Sequence, residues 1–520
     1  MSAVNFSHST AVYQRFHWLI ALFALLTFIP FIFLRYEFHD SWAWLYWLNG
    51  QRWIGTAPPC LELGSNSYLI GRPLMTPLLC AMSVFGPEID RVWIGKLVTL
   101  GVLIAAGALL FSTFRRSGVR GVLAPLALLS VLLLPGMILM VVMMVANVIA
   151  FATLAAVLAG YLWLHYLRDP VGGFAVRLGL SVCVFALLVF AMATYQVVAV
   201  LFFLPILVDI LFRQRPAGPS ELGYVVLAAL TFAGAAVFFI VAHSILLHDY
   251  KYFFLTDEMV RSWANNNRSV ALLAGADDLI KKFAFMGHLL PRAISLWFIS
   301  ESTGLVPVAW IAFAITLGLF AAVFAWQARS PWRVIAAYFT IGCFFGPFLV
   351  SANDGNGLFT LERVKVFMQV PLVLCVWWLI AWVSTARQKA LRGLAAVMAA
   401  FIFVGCAVSW ITILSARVIP NYMELKHIEP RLRDAVRANV REIYIIKAED
   451  GHLRKVLGAR GTEELGRITS FYFPEQMVSA IVLEIERKTI PRAIFRVEAG
   501  DGDRIQPAKS RLILDMRKFP

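Results

Sequence analysis

Charged side chains are scarce in this sequence. Only 15% of its 520 residues are charged, whereas 60% are hydrophobic, and the mean hydropathy is +0.75. A soluble protein carries roughly 25% charged residues. The apolar residues occur in runs of about 20, which at ~1.5 Å per helical residue cross a hydrocarbon core ~30 Å thick. The composition therefore excludes an ordinary soluble protein and predicts an all-α polytopic membrane protein.

Motifs for metal, redox and nucleotide chemistry are missing as well. None of the six cysteines has the C-x-x-C spacing of a metal or redox pair. No nucleotide-binding motif occurs in the short loops, and no cleavage site follows the first apolar run, which we expect to be retained as a helix. Cys60 and Cys80 share one loop, where a disulfide is permitted if the loop lies outside the cytoplasm. The other four cysteines lie in apolar runs as small core residues: Cys183, Cys343, Cys375 and Cys406.

The apolar runs predict about eleven transmembrane helices. The predicted spans are 16–35, 93–114, 122–142, 146–166, 178–196, 197–212, 223–247, 304–327, 333–352, 365–386 and 394–414.

The cations predict an orientation. Arg and Lys follow every second span: Arg115, Arg116, Arg120, Arg168, Arg177, Arg213, Arg215, Arg329, Arg333, Arg387, Lys389 and Arg392. Cytoplasmic loops are the ones enriched in Lys and Arg, so the N-terminus is predicted inside and the C-terminus outside. The cations of these predicted cytoplasmic loops then account for the net charge of +15, and we expect no nucleic-acid partner. The long segments, including 36–92 and 248–303, face the outer side.

The composition changes near residue 416. Residues 1–415 form the predicted transmembrane domain, whereas 416–520 are rich in charges of both signs, as a water-facing surface is. Asp434–Arg441 is typical of part of an amphipathic helix. The β-branched and aromatic content of Glu442–Ile446 and Ala493–Val497 predicts two strands. We therefore expect a small C-terminal α/β domain that packs on the outer face of the membrane domain.

Candidate chemistry begins directly after the first predicted helix. Glu37 and Asp40 are three residues apart, so a helix would place both carboxylates on one face at the membrane surface, with His39 between them. The alternative is a solvated start of the loop. Farther along, Arg72 lies in a Gly-Arg-Pro-Leu sequence. Its guanidinium either binds phosphate oxygens in a fork or anchors the chain at the interface.

Two later segments add polar residues on the same side. Tyr195 and Gln196 lie between two predicted spans, where they either cap the helices or line a cavity. Arg363 and Lys365 precede the tenth span, where they either bind a lipid phosphate or anchor to headgroups.

Together these features resemble a known family. The first helix, the acidic pair outside it and the Gly71–Leu74 segment resemble the bacterial O-antigen-modifying glucosyltransferases of the GT-C superfamily. Tyr195-Gln196 closing a hairpin and Arg363 in a late outer loop are similar to that family too. The resemblance covers roughly residues 1–415.

The resemblance implies a GT-C fold and an inverting glycosyltransferase of the bacterial inner membrane. The donor would be a sugar, most often glucose, on undecaprenyl phosphate, and the acceptor a periplasmic glycan or glycolipid such as lipopolysaccharide O-antigen. Asp40 would be the base that accepts the acceptor's proton. The family usually has adjacent aspartates where this sequence has His39-Asp40. Whether this site binds a divalent cation therefore stays open.

Arg72, Arg363 and Lys365 are the candidate ligands of the departing phosphate, whose growing negative charge needs cations. Two alternatives remain. A glycan polymerase or ligase would share the topology and place its catalytic residues in the loop 248–303. A transporter or flippase would have charged or broken helices near the bilayer midplane and internal repeats. The sequence has few charges in its spans and no visible repeat.

Overall fold

The architecture is taken from a computed structural model of the chain. It describes residues 22–23, 25–37, 41, 45, 72–83, 88–119, 121–167, 173–213, 219–248, 280, 306–328, 330–351, 362–385, 388–438, 440, 442–446, 477–479, 481–482, 485, 496–500 and 511–515.

Helices dominate the described residues. After a helical segment within residues 22–33, the described residues as far as 413 include twelve α-helices. They are α1 (Met75–Ser83), α2 (Val92–Arg116), α3 (Leu123–Leu132), α4 (Pro135–Val142), α5 (Met144–Leu162), α6 (Phe174–Tyr195), α7 (Phe203–Phe212), α8 (Pro219–His248), α9 (Val306–Gln327), α10 (Pro331–Ser351), α11 (Glu362–Ser384) and α12 (Lys389–Ile413).

Several of these helices are long and apolar enough to cross a membrane. Among the described residues, five stretches meet that criterion, or six if α3 and α4 count as one broken span. The five are Val92–Arg116, Ala146–Tyr166, Phe174–Phe212, Pro219–Leu246 and Lys389–Ile413. The prediction of a helical, multi-pass membrane protein is therefore confirmed, while the number eleven stays a prediction.

The predicted span 122–142 is wrong as a single helix. It consists of α3 and α4, whose axes are bent by 61° at Leu133 and Leu134. Proline has no backbone N–H and its ring collides with the preceding turn, so Pro135 begins a new helix. Hydropathy alone does not register this break, because the residues on both sides of it are apolar.

The stretch Phe174–Phe212 reverses direction within its length. Tyr195 has an extended backbone, with φ −160° and ψ 99°, and a 3-10 helix (Gln196–Phe202) follows before α7. The amide of Leu74, just before α1, donates to the Ala193 carbonyl at 3.0 Å. At the far end of α7, Asp209 accepts from Ser117, which follows α2, at 3.1 Å. The ends of α6 and α7 therefore lie at opposite ends of α2.

One large apolar core fills the helical bundle, and α5 lies at its centre. This helix packs against α2, α6 and the 3-10 helix that follows α6. The closest approach is at Gly160, where a Cβ atom would lie only 2.1 Å from the Phe202 carbonyl oxygen. Only glycine permits that contact, because every other residue carries a Cβ.

The last long helix continues into the C-terminal segment. A π-helical turn (Leu414–Val418) joins α12 directly to α13 (Ile419–Arg437), which is amphipathic. Strands β1 (Glu442–Ile446), β2 (Arg496–Gly500) and β3 (Arg511–Asp515) form a parallel sheet in the order β2-β1-β3.

A second, separate core joins the two parts of the chain. Residues from α1 and from the N-terminal ends of α2 and α5 pack with α13 and the sheet. Its members include Met75, Leu79, Val92, Met144, Val148, Leu425, Ile428, Leu432, Ile443, Ile445 and Leu514. The C-terminal segment therefore packs against the end of the bundle at which α1 lies.

The sequence placed these C-terminal elements only approximately. The strand expected at 442–446 is present. The strand expected at 493–497 overlaps β2 (Arg496–Gly500) at its last two residues, and 493–495 lie outside the described residues. Strand β3 at 511–515 was missed. Residues 434–437 of the segment expected to be part of an amphipathic helix form the last turn of α13, which ends at Arg437.

Candidate functional site

Glu37 is held in a buried ion pair. Its Oε1 lies 3.2 Å from Nζ of Lys96, and the two side chains are 0% and 1% exposed. Its Oε2 accepts a hydrogen bond from the Met144 amide, at the start of α5, at 3.3 Å. This carboxylate is buried and paired with a cation. The supporting-acid role that the sequence analysis assigns to Glu37 stays a prediction.

The preceding residue, Tyr36, completes the cage around Lys96. The ammonium donates to the Tyr36 carbonyl at 3.1 Å and lies 3.7 Å from the centre of the Tyr36 ring. A desolvated cation on an aromatic face is stabilised by the ring quadrupole. Burial, and then the Glu37 charge, raise the pKa of the Tyr36 phenol. The phenol therefore stays protonated and donates to the Phe31 carbonyl at 3.0 Å.

Three residues predicted from distant parts of the sequence meet in a second cluster. The guanidinium carbon of Arg72 lies 4.1 Å from the centre of the Tyr195 ring. Its Nε donates to Oε1 of Gln196 at 3.4 Å. Stacking on one face and a hydrogen bond at Nε fix the plane of a guanidinium, whose terminal nitrogens form the fork that binds carboxylate or phosphate. Arg72 is half-buried and therefore held, rather than a freely moving surface cation.

The two clusters lie at the same end of the bundle. Arg72 precedes α1, which packs against α5 and α6. Met75 of α1 shares the second core with Met144, whose amide binds Glu37. The Arg72 cluster and the Glu37–Lys96 pair are thus joined through one short helix.

Four predicted site residues cannot be placed in the same way. His39 and Asp40 lie outside the described residues. Arg363 and Lys365 lie in the first turn of α11, and their side chains fall outside the described part of the chain. Their proximity to Arg72 stays a prediction.

A metal site is not formed by the described residues. Within the described ranges, no group of three or more His, Cys, Asp or Glu side chains is arranged to hold a metal ion. Lys96, rather than a cation from solution, balances the charge of Glu37.

No protein-family model matches the chain, and no curated protein matches it in sequence.

Lys96 is the site residue that the sequence analysis missed. It is the fourth residue of the predicted span 93–114, where a lone cation is costly unless a partner faces it. That cost is the signal that would have found it. Its partner Glu37 was identified, but the pairing depends on a contact between distant segments.

Cys80 bears on the compartment of this end of the bundle. It is disulfide-bonded, whereas Cys183, Cys343, Cys375 and Cys406 carry free thiols. Cys60, the remaining cysteine of the sequence, lies outside the described residues. Disulfides persist in oxidising compartments and are rare in the cytosol.

At the opposite end of the bundle, two of the cations predicted to be cytoplasmic, Arg213 and Arg333, contact the end of α7. Arg213 pairs with Asp209 at 3.0 Å. Arg333 donates to the carbonyls of Ile210 and Leu211 at 2.8 and 3.0 Å, and also to that of Arg213. These are carbonyls of the last turn of α7, which have no partner within the helix. Arg333 therefore caps α7, in addition to any part in setting the topology.

Proposed function

We propose that this chain is a membrane glycosyltransferase. It transfers a sugar from polyprenyl phosphate to an envelope glycan or glycolipid on the outer face of a bacterial inner membrane. The donor lipid, the acceptor and the surrounding membrane lipids are its partners in this proposal. Glucose is the sugar that the family resemblance favours.

The observation that carries the proposal is the cluster of Arg72, Tyr195 and Gln196. Arg72, which the sequence singles out separately from the Tyr195-Gln196 pair, contacts both of these residues at one end of the bundle. An arginine whose plane is fixed by a stacked ring and a glutamine is pre-organised for a bidentate phosphate contact. Such a contact stabilises the charge that grows on the leaving phosphate.

The proposed chemistry is a single displacement. An acceptor hydroxyl attacks the anomeric carbon, the bond from that carbon to the phosphate oxygen breaks, and the polyprenyl phosphate departs with the electron pair. The hydroxyl proton passes to Asp40, and the anomeric centre is inverted. Glu37, three residues earlier in the chain, contributes by holding the backbone that leads to Asp40. Arg363 and Lys365 would add positive charge at the phosphate.

The orientation belongs to the proposal as well. The disulfide at Cys80 supports a location of α1 outside the cytoplasm. The arginines around α7 and α10 lie at the other end, as the enrichment of cations in cytoplasmic loops requires. Eleven spans would place the N-terminus inside and the 416–520 domain in the periplasm.

A transporter or flippase is the second candidate, and the 61° break between α3 and α4 favours it. Discontinuous helices near the midplane form substrate sites in many transporters. Here, however, the break is surrounded by buried apolar residues, and Leu133, Leu134 and Met137 are 5% exposed or less. The Ser130 hydroxyl nearby accepts from the Trp377 indole at 2.7 Å. A packed break of this kind favours a structural bend over a polar binding site.

A reconstituted transfer assay tests the proposal. Purified full-length protein in liposomes is given polyprenyl-phosphate glucose and a lipid-linked glycan acceptor, and the product is analysed by mass spectrometry. We expect one sugar to be added, with inversion. Movement of the intact lipid across the bilayer without sugar transfer would instead establish the flippase.

A further inference from the structure

The segment that leads towards the proposed base is held at three consecutive residues by three different parts of the fold. Arg35 pairs with Asp90, just before α2, at 2.6 Å between Nε and Oδ1, and it also pairs with Glu429 of α13. Tyr36 contacts Lys96 of α2, and Glu37 contacts both Lys96 and the start of α5. The bundle therefore supplies all of these contacts except that of Glu429, which belongs to the C-terminal segment.

Glu429 is itself firmly placed. It is almost fully buried, and its second oxygen accepts from Nε of Arg433, one turn later, at 3.1 Å. The neighbouring residues Leu425, Ile428 and Leu432 are fully or almost fully buried in the second core. A carboxylate on so rigid a helix, nearly removed from water, interacts more strongly with a cation than an exposed pair does.

We infer that Glu429 is a positioning residue. Through Arg35 it fixes the Arg35–Glu37 segment against the bundle and keeps Lys96 covered. The C-terminal segment is thereby coupled to the Arg35–Glu37 segment. The packing of the C-terminal segment against the bundle then sets the turnover rate. The catalytic consequence rests on the proposed function, whereas the structural coupling does not.

The test compares Glu429→Gln with Asp434→Asn in the full-length protein. Asp434 lies on the same helix, is 77% exposed and contacts Arg437 only at 3.8 Å, so its substitution removes a carboxylate that is not coupled to Arg35. The structural readout is the rate at which a water-soluble amine-acylating reagent modifies Lys96, measured by mass spectrometry, with exposed lysines as internal standards. The functional readout is kcat and donor KM in the transfer assay.

In Glu429→Gln we expect Lys96 to be acylated about tenfold faster, which corresponds to ~1.4 kcal/mol of lost local stability. We expect kcat to fall while donor KM stays near the wild-type value, and Asp434→Asn to change neither. Adding Glu429→Gln to Arg35→Gln should change little further, because Arg35→Gln already removes the contact with Glu429 together with the pair to Asp90. If Glu429→Gln fails to fold, Glu429→Asp replaces it, with a shorter carboxylate that weakens the pair and exposes Lys96 in part.

Equal protection of Lys96 in the Glu429 and Asp434 variants would overturn the coupling. A faster modification of Lys96 with unchanged kcat would overturn the positioning role. If the wild-type protein transfers no sugar but Lys96 becomes reactive as expected, the proposed function fails and the coupling stands. If the wild-type protein transfers sugar normally but Glu429→Gln leaves the acylation rate of Lys96 unchanged, the coupling fails and the proposed function stands.

Discussion

Replacing Lys96 with methionine should destabilise the end of the bundle at which α1 lies, because it leaves the Glu37 carboxylate buried without its cation. At the observed 3.2 Å separation and an effective dielectric constant of about 20, the attraction is ~5 kcal/mol. Removal of one partner from a buried pair typically costs ~3–5 kcal/mol. We expect the free energy of unfolding to fall by about 3 kcal/mol, the lower figure, since the Met144 amide still donates to Glu37.

The reverse change should cost less. In Glu37→Gln the amide oxygen still accepts from Met144, and Lys96 keeps the Tyr36 carbonyl and ring as partners. We expect a loss of ~1–3 kcal/mol, the cost of a weakened hydrogen bond to a charged group. The double variant should cost less than the sum of the two, because no uncompensated charge remains.

The assay is reversible unfolding in mixed micelles, followed by tryptophan fluorescence. Lys389→Met is the matched control, since Lys389 is exposed at the start of α12 and should change stability by less than ~0.5 kcal/mol. If Lys96→Met unfolds with the same midpoint as this control, the pair does not stabilise the fold. The positioning role of Glu37 would then be refuted.

Three further predictions concern the second cluster, the proposed base and the packing. Arg72→Ala should lower transfer strongly and Arg72→Lys should restore it only in part, because lysine lacks the bidentate fork; near-normal rates in both would assign Arg72 to headgroup anchoring. Asp40→Asn should insert and fold but transfer ~10²–10⁴-fold more slowly, and retention of more than about a tenth of wild-type turnover would exclude a general base. Gly160→Ala should lower the melting temperature, because its Cβ would collide with the Phe202 carbonyl, whereas Gly101→Ala has 4 Å of clear space and should gain up to ~1 kcal/mol of helix propensity. Equal melting temperatures for the two alanine variants would contradict the close approach.

Local pattern predicted the parts of this protein that depend on composition. The helical, multi-pass character follows from apolar runs, and the strand at 442–446 follows from its β-branched residues. Arg72, Tyr195 and Gln196 were identified because polar residues next to apolar spans are conspicuous. That they contact one another is a property of the fold, since Arg72 and Gln196 are 124 residues apart.

What the sequence could not supply depends on distant contacts and on steric detail. Lys96 was passed over because its hydrogen-bond partner Tyr36 lies 60 residues away. Arg35 was counted as the end of a helix, and nothing local links it to Glu429, 394 residues later. The break at Pro135 escaped because a hydropathy profile averages over it.

The order of strands in the small sheet has a consequence for biosynthesis. Its central strand β1 leaves the ribosome first, but Glu442 pairs with Arg496 and with Arg511, and the second of these is 69 residues later. At a synthesis rate of ~5–20 residues per second, roughly 3–14 seconds pass before both neighbours exist. During that interval both edges of an apolar strand stay unpaired, which is a hazard for aggregation. The strand follows a continuous helix from the membrane, so it stays tethered at the bilayer surface during synthesis. Unpaired β1 strands of chains made on neighbouring ribosomes are then the ones with which it could aggregate.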